Sequence, residues 1–558
     1  MRPIRVRRSA PLLLWLLFSA AASAEIFTRG PYLQMGTPQS VLVRWRTDVA
    51  VNGRVRYGTA LGSLTSFEDE PAAGTEHVVA LSGLSPDTNY YYSIGTPSSV
   101  LAGDDAAHFF RTSPPSGAAK PTRIWALGDS GTANSSARAV RDAYSAFAGS
   151  RHTDLWLMLG DNAYPDGTDA EYQSAVFDMY PATLATSVLW PTLGNHDGHT
   201  ADSTSQTGPY YDIFSLPKAA EAGGLASGTE AYYSFDYGNI HFICLDSYES
   251  PRSPSGAMAT WLAADIAATA QDWVIAFWHH PPYSKGSHDS DAEGDLAEMR
   301  GNVLPILEAG GVDLVLTGHS HSYERSFLLD GHYGTSGTLT PVMKKDAGSG
   351  RVGETGAYRK SLGTQPREGA VYLVAGSSGQ TGGGALNHPA MFVSLNALGS
   401  LVIDVDGNRL DAAFLRSTGA IGDTFTITKL SPPAAADFHT VTPCRILDTR
   451  GAVGPSGGPA LAANAERTIV LAGRCGIPSS ARAVSVNLTV TEPSSPGHLV
   501  LFPAATPLPA TSNLNFRARQ TRANNAVLPL GASGDIVVRC TQAGGTVHFI
   551  LDVNGYFE

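Results

Sequence analysis

Three hydrophobic patterns succeed one another along the chain. Over residues 25–113, short segments alternate apolar and polar positions. VLVRWRT at 41–47 puts Val41, Val43 and Trp45 on one face, and GRVRYG (53–58), HVVALSGL (77–84), TNYYYSIG (88–95) and AHFFRT (107–112) come after it, with Gly, Pro and Asp between them. Strands of that length and spacing predict a β-sandwich. From 122 to 428 the runs become nearly continuous: RIWAL (123–127), DLWLML (154–159), VLWPTL (188–193), NIHFICL (239–245), WVIAFW (273–278), VDLVLT (312–317) and VYLVA (371–375). Such runs predict strands buried on both faces. Helical stretches at 133–147 and 258–271 lie between some of them, so the central region is expected to be α/β, with helices packed on sheets. Over 437–558 the alternation returns in AVSVNLTV, HLVLFP, IVVRC and VHFILDV, which predicts an all-β domain. The segments 113–119 and 431–436, rich in Pro, Ala and Ser, read as linkers. The expected chain is multidomain: an amino-terminal β-sandwich, a central α/β sandwich and a carboxy-terminal all-β domain.

Composition adds bounds. The 558 residues, 43% hydrophobic and 16% charged, can build several cores without depending on disulfides. A net charge of −12 argues against a general nucleic-acid binder. Residues 1–24 read as a signal peptide: Arg2, Arg5, Arg7 and Arg8 precede an apolar run of 12 residues at 11–22, and Ala22-Ser23-Ala24 offers a small-x-small cleavage site. The alternative, a membrane anchor, needs about 20 apolar residues. Arg7-Arg8 leaves both the general and the twin-arginine export routes open. Removing four arginines and no acid takes the charge from −12 to −16. Residues 437–558 hold 9 Arg, no Lys and 7 acids, a net of +2, so residues 25–436 stand at −18. No later stretch is long and apolar enough to span a membrane. A secreted or periplasmic protein is expected.

The residues just after the central runs carry the chemistry, because open α/β sheets bind ligands at the carboxyl ends of their strands. The run at 123–127 leads into Gly128-Asp129-Ser130-Gly131, that at 154–159 into Gly160-Asp161-Asn162-Ala163-Tyr164, and that at 188–193 into Gly194-Asn195-His196-Asp197. The run at 273–278 leads into His279-His280-Pro281-Pro282-Tyr283, and that at 312–317 into Gly318-His319-Ser320-His321-Ser322-Tyr323-Glu324-Arg325. One Gly-Asp turn or one histidine means little. Five strand ends carrying Asp, Asn, His or Tyr point to metal binding, with glycine letting the backbone turn beside a ligand.

This constellation resembles the calcineurin-like metallophosphoesterases, and within them the purple acid phosphatases, whose pattern is GDxG, GDxxY, GNH[DE], a histidine strand end and GHxHxYER. The piece LSGLSPDTNYYYSI resembles the end of a fibronectin type III module, and the whole segment 25–113 matches the family's amino-terminal domain; a substrate-binding module and a structural neighbour are both open readings. The resemblance implies a dinuclear metal-dependent phosphatase acting on phosphate monoesters by attack of a metal-bound hydroxide. It assigns one metal to Asp129, Asp161, Tyr164 and His321, and the other to Asp161, Asn195, His279 and His319, with Asp161 bridging. Carboxylates with a phenolate suit Fe(III); two imidazoles with an amide suit a divalent ion such as Zn, Mn or Fe. His279 rather than His280 matches the family's offsets to a proline and an aromatic residue, leaving His280 as a neighbour behind the ligands. His196 is implied to act on the substrate phosphate or the leaving group. His288, nine residues beyond His279, is either a second substrate-side histidine or part of a solvated polar loop at 284–294. Asp197 and Arg325 are expected to orient the motif loops, through hydrogen bonds or an ion pair. A phosphodiesterase with the same metals remains an alternative, as does a non-catalytic extracellular binding protein on the same scaffold. The expected partner is a small phosphate ester.

The long connection at 331–356, with His332, reads either as a loop shaping substrate access or as plain surface. Cys244, inside IHFICLD, reads as a buried free thiol. Cys444, Cys475 and Cys540 fall in the tail, an odd count; a Cys444–Cys475 bridge is expected because the two flank a short segment in an exported domain. The tail resembles an accessory domain of secreted bacterial proteins, through CRILDTR, RCGIP and ILDVNGYF. Its ligand is left open between surface or polymer attachment and a passive stabilising role.

Overall fold

The computed structural model describes residues 25–430 and 436–558. The leader expected over 1–24 and most of the linker at 431–436 lie outside these residues. Two compact units are present, one ending at Ser431 and the other beginning at Pro432. Among the described residues no helix is long and apolar enough to cross a membrane.

The first unit is built on two large sheets. In the ten-stranded sheet the order is Tyr358–Ser361, Ile421–Leu430, Arg409–Arg416, Gly399–Asp406, Thr122–Leu127, Leu155–Met158, Val188–Pro191, Phe27–Gln34, Ser40–Val51 and Gly74–Ser82. In the seven-stranded sheet the order is Tyr233–Tyr237, Ile240–Cys244, Trp273–Phe277, Leu314–Thr317, Val371–Ala375, Tyr323–Ser326 and Met391–Leu395. All seven apolar runs of the central region are strands. They pair in parallel at the centre of each sheet, and their burial on both faces explains why they read as unbroken apolar runs. The helices Ser135–Ala148 and Ala257–Ala268 occupy the two helical stretches. Asn134 caps the first, its side chain accepting from the N–H groups of Ser136 and Ala137.

The amino-terminal strands do not stand apart. Phe27–Gln34 pairs in parallel with Val188–Pro191 through Leu33 and Val188, so part of the first sandwich extends the central sheet. Val41, Val43 and Trp45 are buried as their alternation predicts. Arg29 and Arg46 both reach Asp169 (2.8 and 2.7 Å), and the Tyr92 hydroxyl donates to Ala185 O at 2.9 Å. The linker at 113–119 therefore separates segments in sequence without ending the sheet.

Arg325, at the end of the last motif, makes an ion pair in the interior. Its guanidinium pairs with Asp423 at 2.5 and 3.1 Å. Arg325 belongs to the seven-stranded sheet and Asp423 to the ten-stranded one, so the pair joins the two. The Tyr323 hydroxyl and Arg351 also donate to Asp423, at 2.9 and 2.7 Å. Burial pushes the Asp423 carboxyl up, but these donors hold it below the usual carboxylate range. His332 is also interior, stacked on the Tyr283 ring at 5.2 Å between centroids, so it does not line an entrance.

The second unit is all β: a five-stranded sheet containing Phe438–Asp448, Thr546–Phe557, Ala483–Thr491 and Arg522–Pro529, and a four-stranded sheet of Glu466–Val470, Asp535–Gln542, Gly497–Pro503 and Leu514–Phe516. Val484, Val486, Leu488 and Val490 alternate into its core. Cys444 and Cys475 form a disulfide with Cα atoms 5.8 Å apart, across 31 residues; a loop of that length contributes about 3–4 kcal/mol in the chain-entropy model. Among the described residues Cys244 and Cys540 are free and buried.

Removing Asp423 would leave Arg325 as an uncompensated buried charge, a change that costs about 3–5 kcal/mol. Asp423→Ala is expected to lower the unfolding free energy of the first unit by that amount in urea titration, and an unchanged midpoint would show the pair to be energetically neutral.

Candidate metal centre

The carboxyl ends of the parallel strands in both sheets converge, and two glycines set how near they come. A Cβ on Gly128 would lie 2.7 Å from Ala375 O and 3.2 Å from Gly318 Cα; a Cβ on Gly318 would lie 2.6 Å from Asp129 Oδ2. The glycines are needed for this close approach. The residue after each turns tightly, Asp129 at φ +56° and His319 at +64°; at the third strand end Asp161 does the same at +52°, following Gly160 at +87°. A non-glycine residue there costs of order 1–3 kcal/mol and persists where surrounding contacts impose it. Those contacts are present. Asp129 N donates to Gly160 O (3.1 Å), Gly131 N to Asp161 O (3.1 Å), and His319 N crosses between the sheets to Asp129 Oδ2 (2.7 Å).

Seven side chains present eight donor atoms in two sets. In one, the Tyr164 hydroxyl oxygen lies 3.1 Å from Asp129 Oδ1, 2.9 Å from Asp161 Oδ2 and 3.3 Å from His321 Nε2, and His321 Nε2 lies 3.4 Å from Asp129 Oδ1. In the other, Asn195 Oδ1 lies 3.1 Å from His279 Nε2 and 3.0 Å from His319 Nδ1; the two imidazole nitrogens are 3.3 Å apart, and His279 Nε2 is 3.4 Å from Asp161 Oδ1. Asp161 gives one oxygen to each set. Donors held at about 2.0–2.2 Å from a common cation stand about 2.8–3.6 Å from one another, and every separation here falls in that window. The far nitrogens are engaged as metal-binding imidazoles require: His279 Nδ1 donates to Leu159 O at 2.8 Å, and His319 Nε2 faces Glu293 Oε2 at 3.3 Å.

Asp129 and Asp161 are 0% and 2% exposed, so two carboxylates are desolvated together. Among the protein's own charges, burial pushes Asp161 up, but the His279 imidazolium outweighs it and holds the carboxyl below its usual range. Burial pulls His279 down, and Asp161 raises it to about 9. His319, whose burial outweighs its bond to Glu293, falls to about 4. Burial, then the charges of Asp129 and Asp161, keep Tyr164 a phenol. A cation at these donors favours the deprotonated form of each: it opposes the upward shifts of His279 and Tyr164 and adds to the downward shifts of Asp161 and His319.

The remaining expected residues surround this cluster. His280 is buried, its Nδ1 2.9 Å from Ser247 Oγ and its ring 4.3 Å from that of His319. His196 is half-exposed; its N–H donates to Asp161 Oδ1 at 2.9 Å and its Nδ1 to Pro165 O at 2.6 Å. His288 stacks on His319 with centroids 3.7 Å apart and meets Glu293 at 2.9 Å. Asp197 is buried and accepts from Asn162 N (3.1 Å), Asn162 Nδ2 (3.0 Å), Gly194 N (2.9 Å) and the Tyr172 hydroxyl (2.6 Å). It thereby ties the Asp161 loop to the Asn195 loop. Two residues here carry no clear signal in the sequence. Glu293 sits in a polar loop with several other acids, which masks it. Gln380 comes after the apolar run at 371–375 as the other motifs come after theirs, but an amide without a charged neighbour does not stand out.

Comparison with known proteins bears on this arrangement. Residues 122–323 match the family model for the calcineurin-like phosphoesterase, and residues 29–112 that for the purple acid phosphatase N-terminal domain. The chain thus carries a calcineurin-like phosphoesterase domain preceded by a purple acid phosphatase N-terminal domain. It is 30% identical over 281 residues to purple acid phosphatase 15 of Arabidopsis thaliana, a match that covers 46% of this chain and 50% of that one. It thus spans half the length of that relative. An uncharacterized protein of Mycobacterium tuberculosis is 29% identical over 392 residues, covering 63% of this chain and 69% of its own length. Among solved structures, a purple acid phosphatase from yellow lupin (Lupinus luteus) seeds shares the fold with a TM-score of 0.53 at 16% identity, covering 72% and 75% of the two chains. PhoD does so with a TM-score of 0.50 at 16% identity, covering 72% and 90%. The chain carries candidate His and Asp metal-binding groups at the strand ends the motifs mark.

Asp197→Asn would turn an amide N–H₂ toward groups that are themselves donors. Losing bonds to a charged acceptor is expected to cost at least about 2 kcal/mol and to loosen the Asn195 loop. Thermal unfolding together with metal content by mass spectrometry checks this; full metal content at unchanged stability would separate Asp197 from the site.

Proposed function

We propose that the protein is an exported, dinuclear metal-dependent phosphatase that hydrolyses phosphate monoesters of small molecules. The observation that carries this reading is the pair of four-atom donor sets sharing Asp161. Asp129, Asp161, Tyr164 and His321 would hold Fe(III), because hard anionic oxygens dominate there; Asp161, Asn195, His279 and His319 would hold a divalent ion, Zn, Mn or Fe. Two cations so held would supply Lewis acidity at a phosphoryl oxygen and an activated water. The similarity to purple acid phosphatase 15 supports this chemistry. The disulfide in the second unit supports export.

The protein's own residues do the rest. His196 keeps its Nδ1 proton on Pro165 O, which leaves Nε2 on the exposed side of the cluster. There it faces the phosphoryl oxygens or protonates the leaving oxygen. His288, fixed by Glu293 through Nδ1 and lying against the His319 ring, would meet the substrate from the divalent-ion side. Asp197 and Asn162 maintain the spacing of the two loops that carry Asp161 and Asn195.

Metal analysis with turnover of an aryl phosphate monoester and the matching diester tests the reading. Two metals per chain with faster monoester turnover are expected. Two metals with the reverse preference make the enzyme a phosphodiesterase, and neither metals nor turnover removes the enzymatic reading. Asp161→Asn is expected to lose most turnover and at least one metal, since an amide bridges two cations poorly; retention of both metals at near-normal rate would refute the bridge. With iron bound, the protein is expected to be pink to violet from charge transfer between the Tyr164 phenolate and Fe(III). Tyr164→Phe is expected to lose the colour while retaining iron through Asp129, Asp161 and His321. A colourless wild type with stoichiometric Fe(III) would remove Tyr164 from the ligands.

A further inference from the structure

The loop after Tyr164 and the turn after Asn195 are fastened to each other outside the donor sets. His196 Nδ1 donates to Pro165 O at 2.6 Å, and the Thr200 hydroxyl is shared between Asp166 O (2.9 Å) and Gly167 O (2.8 Å). His199 Nδ1 meets Asp166 Oδ1 at 3.1 Å. Gly167 lets the two backbones touch, since a Cβ there would lie 2.7 Å from Asp197 Cα. The His196 ring lies 4.5 Å from that of Tyr164, and the His199 ring lies 5.2 Å from that of His196. The side chains of His199 and Asp166 are 42% and 55% exposed, so this pair stands at the rim, next to the histidine that faces the substrate.

The chemistry of the pair is one-sided. A carboxylate only accepts, so His199 Nδ1 carries the proton of their bond and Nε2 of the neutral ring keeps a lone pair. Among the described residues neither His199 Nε2 nor Asp166 Oδ2 has a protein partner. The rim beside His196 therefore offers two acceptors, one of them charged. The cations of the neighbouring loops are committed elsewhere. Lys285, in the loop that carries His288, is held by Asp289 and Asp291 at 2.6 and 3.0 Å. Arg252, which donates to Ser247 O and Tyr248 O near His280, is held by Asp295 and Glu298 at 2.5 and 2.9 Å.

We propose that Asp166 and His199 form a specificity-determining subsite that selects phosphate monoesters of polyols and sugars. Hydroxyls a few bonds beyond the ester oxygen donate to Asp166 Oδ2 and His199 Nε2, whereas a second phosphate in that place is repelled by the carboxylate. This inference rests on the phosphatase reading and on His196 as the substrate-side histidine. Both acceptors face solvent, so water competes for them, and the discrimination is expected to be about 10-fold, well below that of an enclosed site.

The test compares kcat/KM of the metal-loaded full chain on propyl phosphate, glycerol phosphate and glycerol bisphosphate. Assays are run at about pH 8, so that the comparison is made with neutral imidazoles. The wild type is expected to prefer glycerol phosphate to both others. His199→Phe keeps a ring against His196 without the acceptor, and Asp166→Asn keeps an oxygen for His199 Nδ1 while turning a neutral amide outward. Each is expected to lower the preference for glycerol phosphate over propyl phosphate roughly 10-fold. Asp166→Asn is also expected to raise the rate on glycerol bisphosphate relative to propyl phosphate, which simple damage to the loop would not do. Should Asp166→Asn fail to fold, the preference of His199→Phe carries the test. Ratios equal to those of the wild type, whether the rates are kept or lost together on all three esters, would overturn the subsite and leave the phosphatase reading standing. A metal-loaded wild type that turns over none of the three would overturn both.

Discussion

How closely two sheets can meet at their carboxyl ends decides everything at this site. The approach of Gly128 to Ala375 O and Gly318 leaves no room for a side chain. It lets a residue of one sheet and a residue of the other address the same point. His319 N donates to Asp129 Oδ2 across that gap at 2.7 Å, so the backbone of one sheet solvates the carboxylate of the other before any cation is considered. The positive φ of Asp129, Asp161 and His319 is the local cost of turning three side chains inward from strand ends that would otherwise point them elsewhere.

The same constraint explains the polarity around the site. Two buried carboxylates sharing a small volume repel each other, and the protein meets this locally with donors. His196 N serves Asp161, His319 N serves Asp129, and Asp197 collects four donors of its own. Further from the strand ends, the buried Arg325–Asp423 pair joins the sheets by charge. Its role is to hold the register of two layers whose convergence positions the donors, and it touches neither donor set.

Much of this is legible in the chain because each motif sits immediately after an apolar run. The runs at 123–127, 154–159, 188–193, 273–278 and 312–317 predict strands by their apolar character alone, and the residues just beyond them are the ones the fold gathers. The reason for the glycines is less legible. Sequence places the freedom of the turn at the glycine, whereas at Gly128 and Gly318 the unusual turn belongs to the residue after it and the glycine makes space; at Gly160 the glycine turns as well. The partner of Arg325 is not legible: successive side chains of Tyr323–Ser326 leave on opposite faces, and Asp423, almost a hundred residues away, cannot be found from spacing. His332 falls in a polar, glycine-rich stretch that suggests surface, yet its ring is buried against Tyr283. Gln380 and Glu293 give no signal, since one lacks charge and the other lies among other acids.

The amino-terminal segment shows why matched regions and folding units differ. The family models meet at about residue 112 and residue 122, and the linker between them is conspicuous in composition. Yet Leu33 pairs with Val188, and the strand carrying Val188 leads directly to Gly194 and Asn195. A strand on the edge of a parallel sheet exposes a row of unpaired backbone groups. Phe27–Gln34 covers that edge, and Ser40–Val51 and Gly74–Ser82 continue the sheet beyond it. The strand that aims Asn195 at the second donor set is therefore an interior strand only because the amino-terminal segment is there. Its contribution to the site runs through the backbone and the Arg29, Arg46 and Asp169 ion pairs.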